Sequence, residues 1–258
     1  MTRLIARALH ASYGRTDVLK GVDLSIGSGI TTIIGPNGCG KSTLLKALSR
    51  LIPSTGAIEL DGKDLRTLPR KTLARTIAVL PQSPIAPEGV VVSDLVARGR
   101  HPHQSWIRQW SDDDAEHVDK ALELTHCVEL ADRRLDSLSG GQRQRVWISM
   151  VLAQETSMIF LDEPTTYLDL THSIDVLNLV ARLRDAGTTI VMVLHDLNLA
   201  ARYSDHLIVV NDGEIRAAGP PGEIVTPAMV KDVFNLDALV IDDPATGSPL
   251  VVPDAPRW

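Results

Sequence analysis

The chain has 258 residues, 44% of them hydrophobic and 22% charged, which is enough apolar material for a sizeable core in one domain or two. A formal net charge of -6 argues against a nucleic-acid binder that relies on bulk positive charge, so no nucleic acid is expected as a partner. No uninterrupted apolar run approaches the roughly 20 residues that a membrane-spanning helix needs, and the N-terminal stretch "MTRLIARALHASYG" alternates instead of forming a secretory apolar core. Two cysteines, Cys39 and Cys127, give neither metal-ligand spacing nor a disulfide framework, and fit a reducing compartment.

In chain order, residues 4–13 and 22–26 alternate apolar with polar, and 30–35 is a β-branched run that ends at a glycine, so all three read as strands. "GPNGCGKST" follows directly, covering Gly35, Pro36, Asn37, Gly38, Cys39, Gly40, Lys41, Ser42 and Thr43, and fits the G-x-x-x-x-G-K-[ST] phosphate loop in full. Apolar residues at helical spacing run over 41–52, closed by Pro53 and Gly56 before a short strand at 57–62. A strand, a glycine loop and a helix are the context that this motif requires. In such a loop the backbone N–H groups of 37–42 cradle phosphates, Lys41 brings a point charge to them, and the Ser42 hydroxyl ligates Mg²⁺.

Residues 77–82 read as another strand, followed by a turn-rich link. From 93 to 153 the periodicity is mostly helical with no convincing strand, which suggests a helical insertion. Inside it "LSGGQRQR", residues 138–145, places two glycines at a helix start, where bare backbone N–H groups suit phosphate. Strands resume at 158–164 and 188–195, separated by a helical stretch at 171–186, and 207–215 reads as a hairpin turning at Asn211, Asp212 and Gly213. Strands alternating with helices imply a mainly parallel sheet. Residues after 225 carry weak structural signals and read as a tail.

The strand ending in "IFLDEP" delivers two carboxylates at its C-terminal end, where α/β sheets place ligands. Neighbouring side chains of a strand point opposite ways. Asp162 is therefore suited to Mg²⁺, and Glu163, leaving the strand, to a water in line with a γ-phosphate. His195 ends its own strand and is suited to donate a hydrogen bond to that phosphate. Gln82 follows an apolar strand, with an amide oxygen suited either to Mg²⁺ or to the attacking water. His101 and His103 lie in a polar loop without acidic or cysteine companions and read as ordinary surface histidines.

Taken in order, "GPNGCGKST", Gln82, "LSGGQ", "IFLDEP" and His195 resemble the nucleotide-binding subunit of an ABC transporter over residues 3–235. The resemblance implies a P-loop NTPase (RecA-like) α/β core with a mainly parallel sheet, an antiparallel β part and an inserted α-helical subdomain. As one ABC ATPase domain over 1–258, the chain divides into a nucleotide-binding core at 1–84 and 155–225, a helical subdomain at 85–154 and a C-terminal tail at 226–258. ATP and Mg²⁺ are the implied cofactors. Tyr13 matches an aromatic that stacks on adenine, and "YLD" at 167–169 matches a loop whose Asp169 lies at an interface. The resemblance also implies a homodimer in the ATP-bound state, in which Ser139, Gly140, Gly141 and Gln142 of one copy close over ATP held by the other. Two phosphate-binding ends would then serve one shared nucleotide.

Finer likeness in "VARGRHPHQSW", "TTYLDLTHSIDVLNL" and "HDLNLAARYSDHLIVVNDGEI" resembles subunits of chelated-iron importers, with haem or cobalamin importers and a non-transport cluster-assembly ATPase as the other readings. The implied partners are polytopic membrane permease subunits and, indirectly, an extracytoplasmic substrate-binding protein. The implied location is peripheral, on the cytoplasmic face of the cell membrane.

Overall fold

The computed structural model describes residues 2–104, 110–166 and 168–254. Its elements in chain order are β1 (Thr2–Tyr13), β2 (Thr16–Gly27), β3 (Ile30–Ile34), α1 (Lys41–Leu48), β4 (Thr55–Leu60), β5 (Lys63–Asp64), α2 (Arg70–Ala74), β6 (Ile77–Leu80), α3 (Val92–Ala97), α4 (Asp112–Leu124), α5 (Gly140–Ala153), β7 (Met158–Asp162), α6 (Leu170–Asp185), β8 (Thr189–Val193), α7 (Leu197–Tyr203), β9 (His206–Asn211), β10 (Glu214–Gly219), α8 (Pro221–Ile224), α9 (Pro227–Phe234), β11 (Ala238–Asp242) and β12 (Pro249–Pro253). They form two compact units, Met1–Thr67 with Thr189–Trp258, and Leu68–Thr188.

In the first unit an antiparallel sheet runs in the order β2-β1-β4-β5, and a second set of strands in the order β10-β9-β3-β8. There β3 pairs parallel with both β8 and β9, while β9 and β10 form the antiparallel hairpin. Every residue of β3 and β8 is buried, as expected of parallel strands covered on both faces. Helix α1 packs on β8, β1 and β2 through Leu44, Leu45, Ala47 and Leu48, all fully buried. The helical pattern in the sequence runs to residue 52, but α1 stops at Leu48 because Arg50 turns left-handed at φ +58° and the Leu51 N–H closes back on the Lys46 carbonyl at 2.9 Å. The last thirty or so residues are not a featureless tail. Thr226 caps α9, whose first residue is Pro227, and β11 pairs with β12. The side-chain amide of Asn198 fixes β12 at both the N–H and the carbonyl of Val251. Residues 255–258 lie outside the described residues.

In the second unit β6 and β7 pair parallel over Ile77–Leu80 and Met158–Leu161. Both strands belong to this unit. The insertion is helical, with α3, α4 and α5 packed on one another. One buried guanidinium gathers them. Arg100, 4% exposed, follows α3; its Nε donates to Asp114 Oδ1 in the first turn of α4 at 2.9 Å, and its Nη1 to the Ala153 carbonyl at the end of α5 at 2.8 Å. Asp114 Oδ2 closes a capping box by accepting the N–H and hydroxyl of Ser111.

Burial by itself raises the Asp114 carboxyl, but hydrogen bonds from Arg100 and Ser111 outweigh it and hold the group below the usual carboxylate range. A folded-state value below the unfolded one contributes stability that is present above the unfolded value and lost as pH falls through the folded one. Asp114→Ala, which leaves Arg100 buried without its carboxylate, should destabilise the protein by about 3 kcal/mol at neutral pH. Urea unfolding checks this. The difference from wild type should shrink as pH falls below about 4, where wild type loses the same interaction.

Candidate functional site

In the first unit the phosphate loop is shaped by a close approach. Gly35 ends β3 with φ +150°, and a Cβ on it would lie 1.9 Å from the Val210 carbonyl oxygen and 2.9 Å from Cys39 Sγ. Only glycine fits there. The turn of the β9–β10 hairpin then holds the loop, since the Gly213 N–H donates to the Cys39 carbonyl at 3.0 Å. Asn37 and Gly38 form the exposed crest, Pro36 and Ser42 are half-buried, and Cys39, Lys41 and Thr43 are buried. Gly40, left-handed at φ +107°, is the N-cap of α1 and supplies no side-chain cap, a helix start of the kind that an anion can cap. Lys41 Nζ donates to the Gly35 and Pro36 carbonyls at 2.9 and 2.8 Å, which arches the side chain back over the loop and leaves its third donor for a ligand. Tyr13 is 51% exposed at the end of β1, and His195 is exposed just past β8, next to the Asp196 N-cap of α7.

In the second unit Asp162 ends β7 and is 1% exposed. Glu163 departs from the expected strand alternation by taking φ +56°, a left-handed conformation that costs a non-glycine residue about 1–2 kcal/mol. The kink turns it out of the strand while keeping it 6% exposed. Its Oε2 accepts Gln82 Nε2 at 2.6 Å and the Thr166 hydroxyl at 3.0 Å. The structure thus brings Gln82 and Glu163 together across 81 positions of sequence. Thr166 was not singled out in the sequence, and a lone threonine after "DEPT" carries no signal that would single it out.

Helix α5 begins as the sequence suggests, but its N-terminus is not bare. Ser139 Oγ accepts the Gln142 N–H at 3.3 Å, and Gln142 Oε1 accepts the Ser139 N–H at 3.1 Å. This capping box leaves the N–H groups of Gly140 and Gly141 as the pair with no intrahelical acceptor. Gln144 Nε2 donates to the Pro164 carbonyl at 2.9 Å, tying α5 to the turn after Glu163. Asp169 is the N-cap of α6, bonded to the N–H and the ring of His172. Those two bonds, the backbone one first, hold the Asp169 carboxyl below the usual range. Tyr167 lies outside the described residues. His103 Nε2 donates to the Gln154 carbonyl at 2.8 Å, and no cluster able to hold a metal ion occurs among the described residues.

A strand feeding a glycine loop and helix, with a carboxylate pair closing a buried strand and a glycine-led helix start, defines a phosphate-loop nucleotide-binding cassette. The family model for ABC transporters matches residues 19–166. The chain is 50% identical over 253 residues, covering 97% of it and 93% of the relative, to the petrobactin import ATP-binding protein FpuD of Bacillus anthracis. It is 49% identical over 256 residues, covering 98% and 94%, to the ferric enterobactin transport ATP-binding protein FepC of Escherichia coli (strain K12). Among solved structures, a nucleotide-free ATP-binding cassette from an ABC transporter superposes with TM-score 0.79 at 28% identity, covering 95% of this chain and 97% of that one. The chain belongs to the ABC transporter family as an ATP-hydrolysing, ATP-binding subunit. No helix among the described residues is long and apolar enough to cross a membrane.

Cys39 tests the loop directly. Burial pushes its thiol above the ordinary range, against the pull of Lys41. The thiolate is the reactive form, so alkylation of Cys39 at pH 7.5 should run at least about tenfold slower than that of a free cysteine, and should still be accelerating at a pH where the free thiol has levelled off. Mass spectrometry of the Cys39 peptide gives the rate. Mg·ATP should slow it further, and the adduct, once formed, should block nucleotide binding, whereas Cys39→Ser keeps it.

Proposed function

We propose that this chain powers the import of chelated iron, with ferric siderophores as the cargo class, as a peripheral subunit on the cytoplasmic face of the membrane. Full-length identity near 50% to ATP-binding proteins named for petrobactin and enterobactin transport supports the cargo class. The cargo itself would pass through polytopic permease subunits after delivery by an extracytoplasmic binding protein, and never touch this chain.

The observation that carries the hydrolytic role is the setting of Glu163. A buried carboxylate, turned out of its strand and held at Oε2 by Gln82 and Thr166, is positioned to orient or deprotonate the attacking water. Lys41 and the N–H groups of residues 37–42 would bind the β- and γ-phosphates, His195 would donate to the γ-phosphate, and Tyr13 would stack on the adenine. Mg²⁺ prefers hard oxygen donors, and the Ser42 hydroxyl and the Asp162 carboxylate are of the type that would hold it. Gln82 donates its amide nitrogen to Glu163, which leaves its amide oxygen for the metal or for the water. When bound, the metal would neutralise charge on the phosphates.

Two copies complete the reading. The capped start of α5 offers two glycine N–H groups and no lysine, so it is a poor first site for a phosphate but a suitable second one for a nucleotide already neutralised by Lys41 and Mg²⁺. Ser139, Gly140, Gly141 and Gln142 of one copy would close over ATP held by the partner, with Asp169 beside that interface.

Glu163→Gln should keep ATP affinity while turnover falls by about a hundredfold or more, and a closed dimer should accumulate with Mg·ATP. Sizing and single-turnover hydrolysis measure this. Lys41→Ala and Ser139→Arg should each be inactive, yet mixing them on the permease should restore hydrolysis, because one of the two mixed sites is whole. A site complete within each chain gives no restoration. Ferric siderophore with its binding protein should stimulate the reconstituted ATPase; stimulation by haem or cobalamin instead would reassign the cargo.

A further inference from the structure

His172, the third residue of α6, has no part in the chemistry above, yet it is held on two sides. Asp169 Oδ1 accepts its backbone N–H at 2.9 Å and its ring Nδ1 at 2.8 Å. The second bond folds the imidazole back over the start of its own helix. There the ring lies against Gly141 in the first turn of α5, where a Cβ would stand 3.2 Å from ring atoms Cδ2 and Cγ and 3.5 Å from Nδ1. Separations of 3.2 Å are shorter than ordinary contact, so a side chain at Gly141 must push the ring away. The 2.8 Å bond to Asp169 opposes that retreat, so moving the ring strains the bond. That carboxyl is held below the usual range, first by the His172 N–H and then by the ring, so it stays ionised and able to accept at neutral pH.

We propose that His172 is a positioning residue that locks the Asp169 turn to the Gly140–Gly141 start of α5, so that neither can shift without the other. This rests on the reading that this helix start closes over nucleotide. Its function would be to fix the direction in which the two glycine N–H groups point, since misplacement of about 1 Å at a reacting centre costs up to a hundredfold in rate.

The test uses the full-length protein assembled with its permease, and compares wild type with His172→Ala, His172→Asn, Gly141→Ala, the Gly141→Ala/His172→Ala double variant and Ser139→Arg. His172→Ala should lower kcat about five- to tenfold with KM for ATP changed by less than about twofold and Tm nearly unaltered. His172→Asn, whose side-chain nitrogen sits where Nδ1 does, should recover most of the loss. Gly141→Ala should cost about tenfold or more in the wild-type background. It should cost at least about fivefold less in the His172→Ala background, where no ring stands in the way of the added methyl group. If Gly141→Ala fails to fold, His172→Ala should restore folding. Equal losses from Gly141→Ala in both backgrounds, wild-type kcat in His172→Ala, or no recovery in His172→Asn each overturn the proposal. Ser139→Arg separates the two levels: full hydrolysis in that variant removes the reading of the helix start itself, whereas its inactivity beside silent His172 variants removes only the role of His172.

Discussion

The contact between Gly35 and the Val210 carbonyl governs the first unit. A backbone oxygen standing 1.9 Å from where a Cβ would be forces the chain to leave β3 with no side chain at that point. The loop then has one path. It turns past Cys39, whose carbonyl takes the Gly213 N–H, and reaches α1 with the first-turn N–H groups facing outward. Lys41 folds back to the carbonyls of Gly35 and Pro36, so the residues that shape the loop also aim its charge. Burial of α1 against β8, β1 and β2 supplies the apolar anchorage that an eight-residue helix lacks on its own.

The second unit stores its cost in Glu163. A left-handed glutamate at the end of a fully buried strand is unfavourable by itself, and two hydrogen bonds to its carboxylate offset that locally. The same bonds connect three separate stretches of sequence: Gln82 after β6, Glu163 after β7, and Thr166 in the turn that follows. Gln144 on α5 reaches the carbonyl of Pro164 in that turn. The glycine-led helix start, the turn after Glu163 and Gln82 therefore share one hydrogen-bonded neighbourhood within this unit. Arg100, bonded to Asp114 and Ala153, keeps the three helices of the insertion in register beside it.

Much of this is legible in the sequence, because the signals are local. Period-two alternation marked β1 and β2, β-branched runs marked β3 and β8, and Asn211-Asp212-Gly213 marked the β9–β10 turn. The phosphate loop needs its glycines and its lysine at fixed spacing, so the spacing alone exposes Gly35, Gly40 and Lys41. Boundaries were less secure. A left-handed Arg50 ended α1 early, and α9 and the β11–β12 hairpin arose from sequence that carries only weak periodicity. The hairpin owes its place to Asn198, 53 positions from Val251, which no local pattern announces.

What the sequence determined by itself was the inventory: a phosphate loop, a carboxylate pair at a strand end, a glycine-led helix start and the order in which they follow. Tertiary structure decided which groups meet. The bond from Gln82 to Glu163, the capping of Glu163 by Thr166, the close approach of His172 to Gly141 and the clamp of Gly213 on Cys39 all join residues distant in sequence or turned by a backbone conformation that the sequence does not signal. The physical reason is range. Propensity, periodicity and motif spacing act over a few residues, whereas a 2.6 Å hydrogen bond between positions 81 apart exists only once packed strands have brought their ends together.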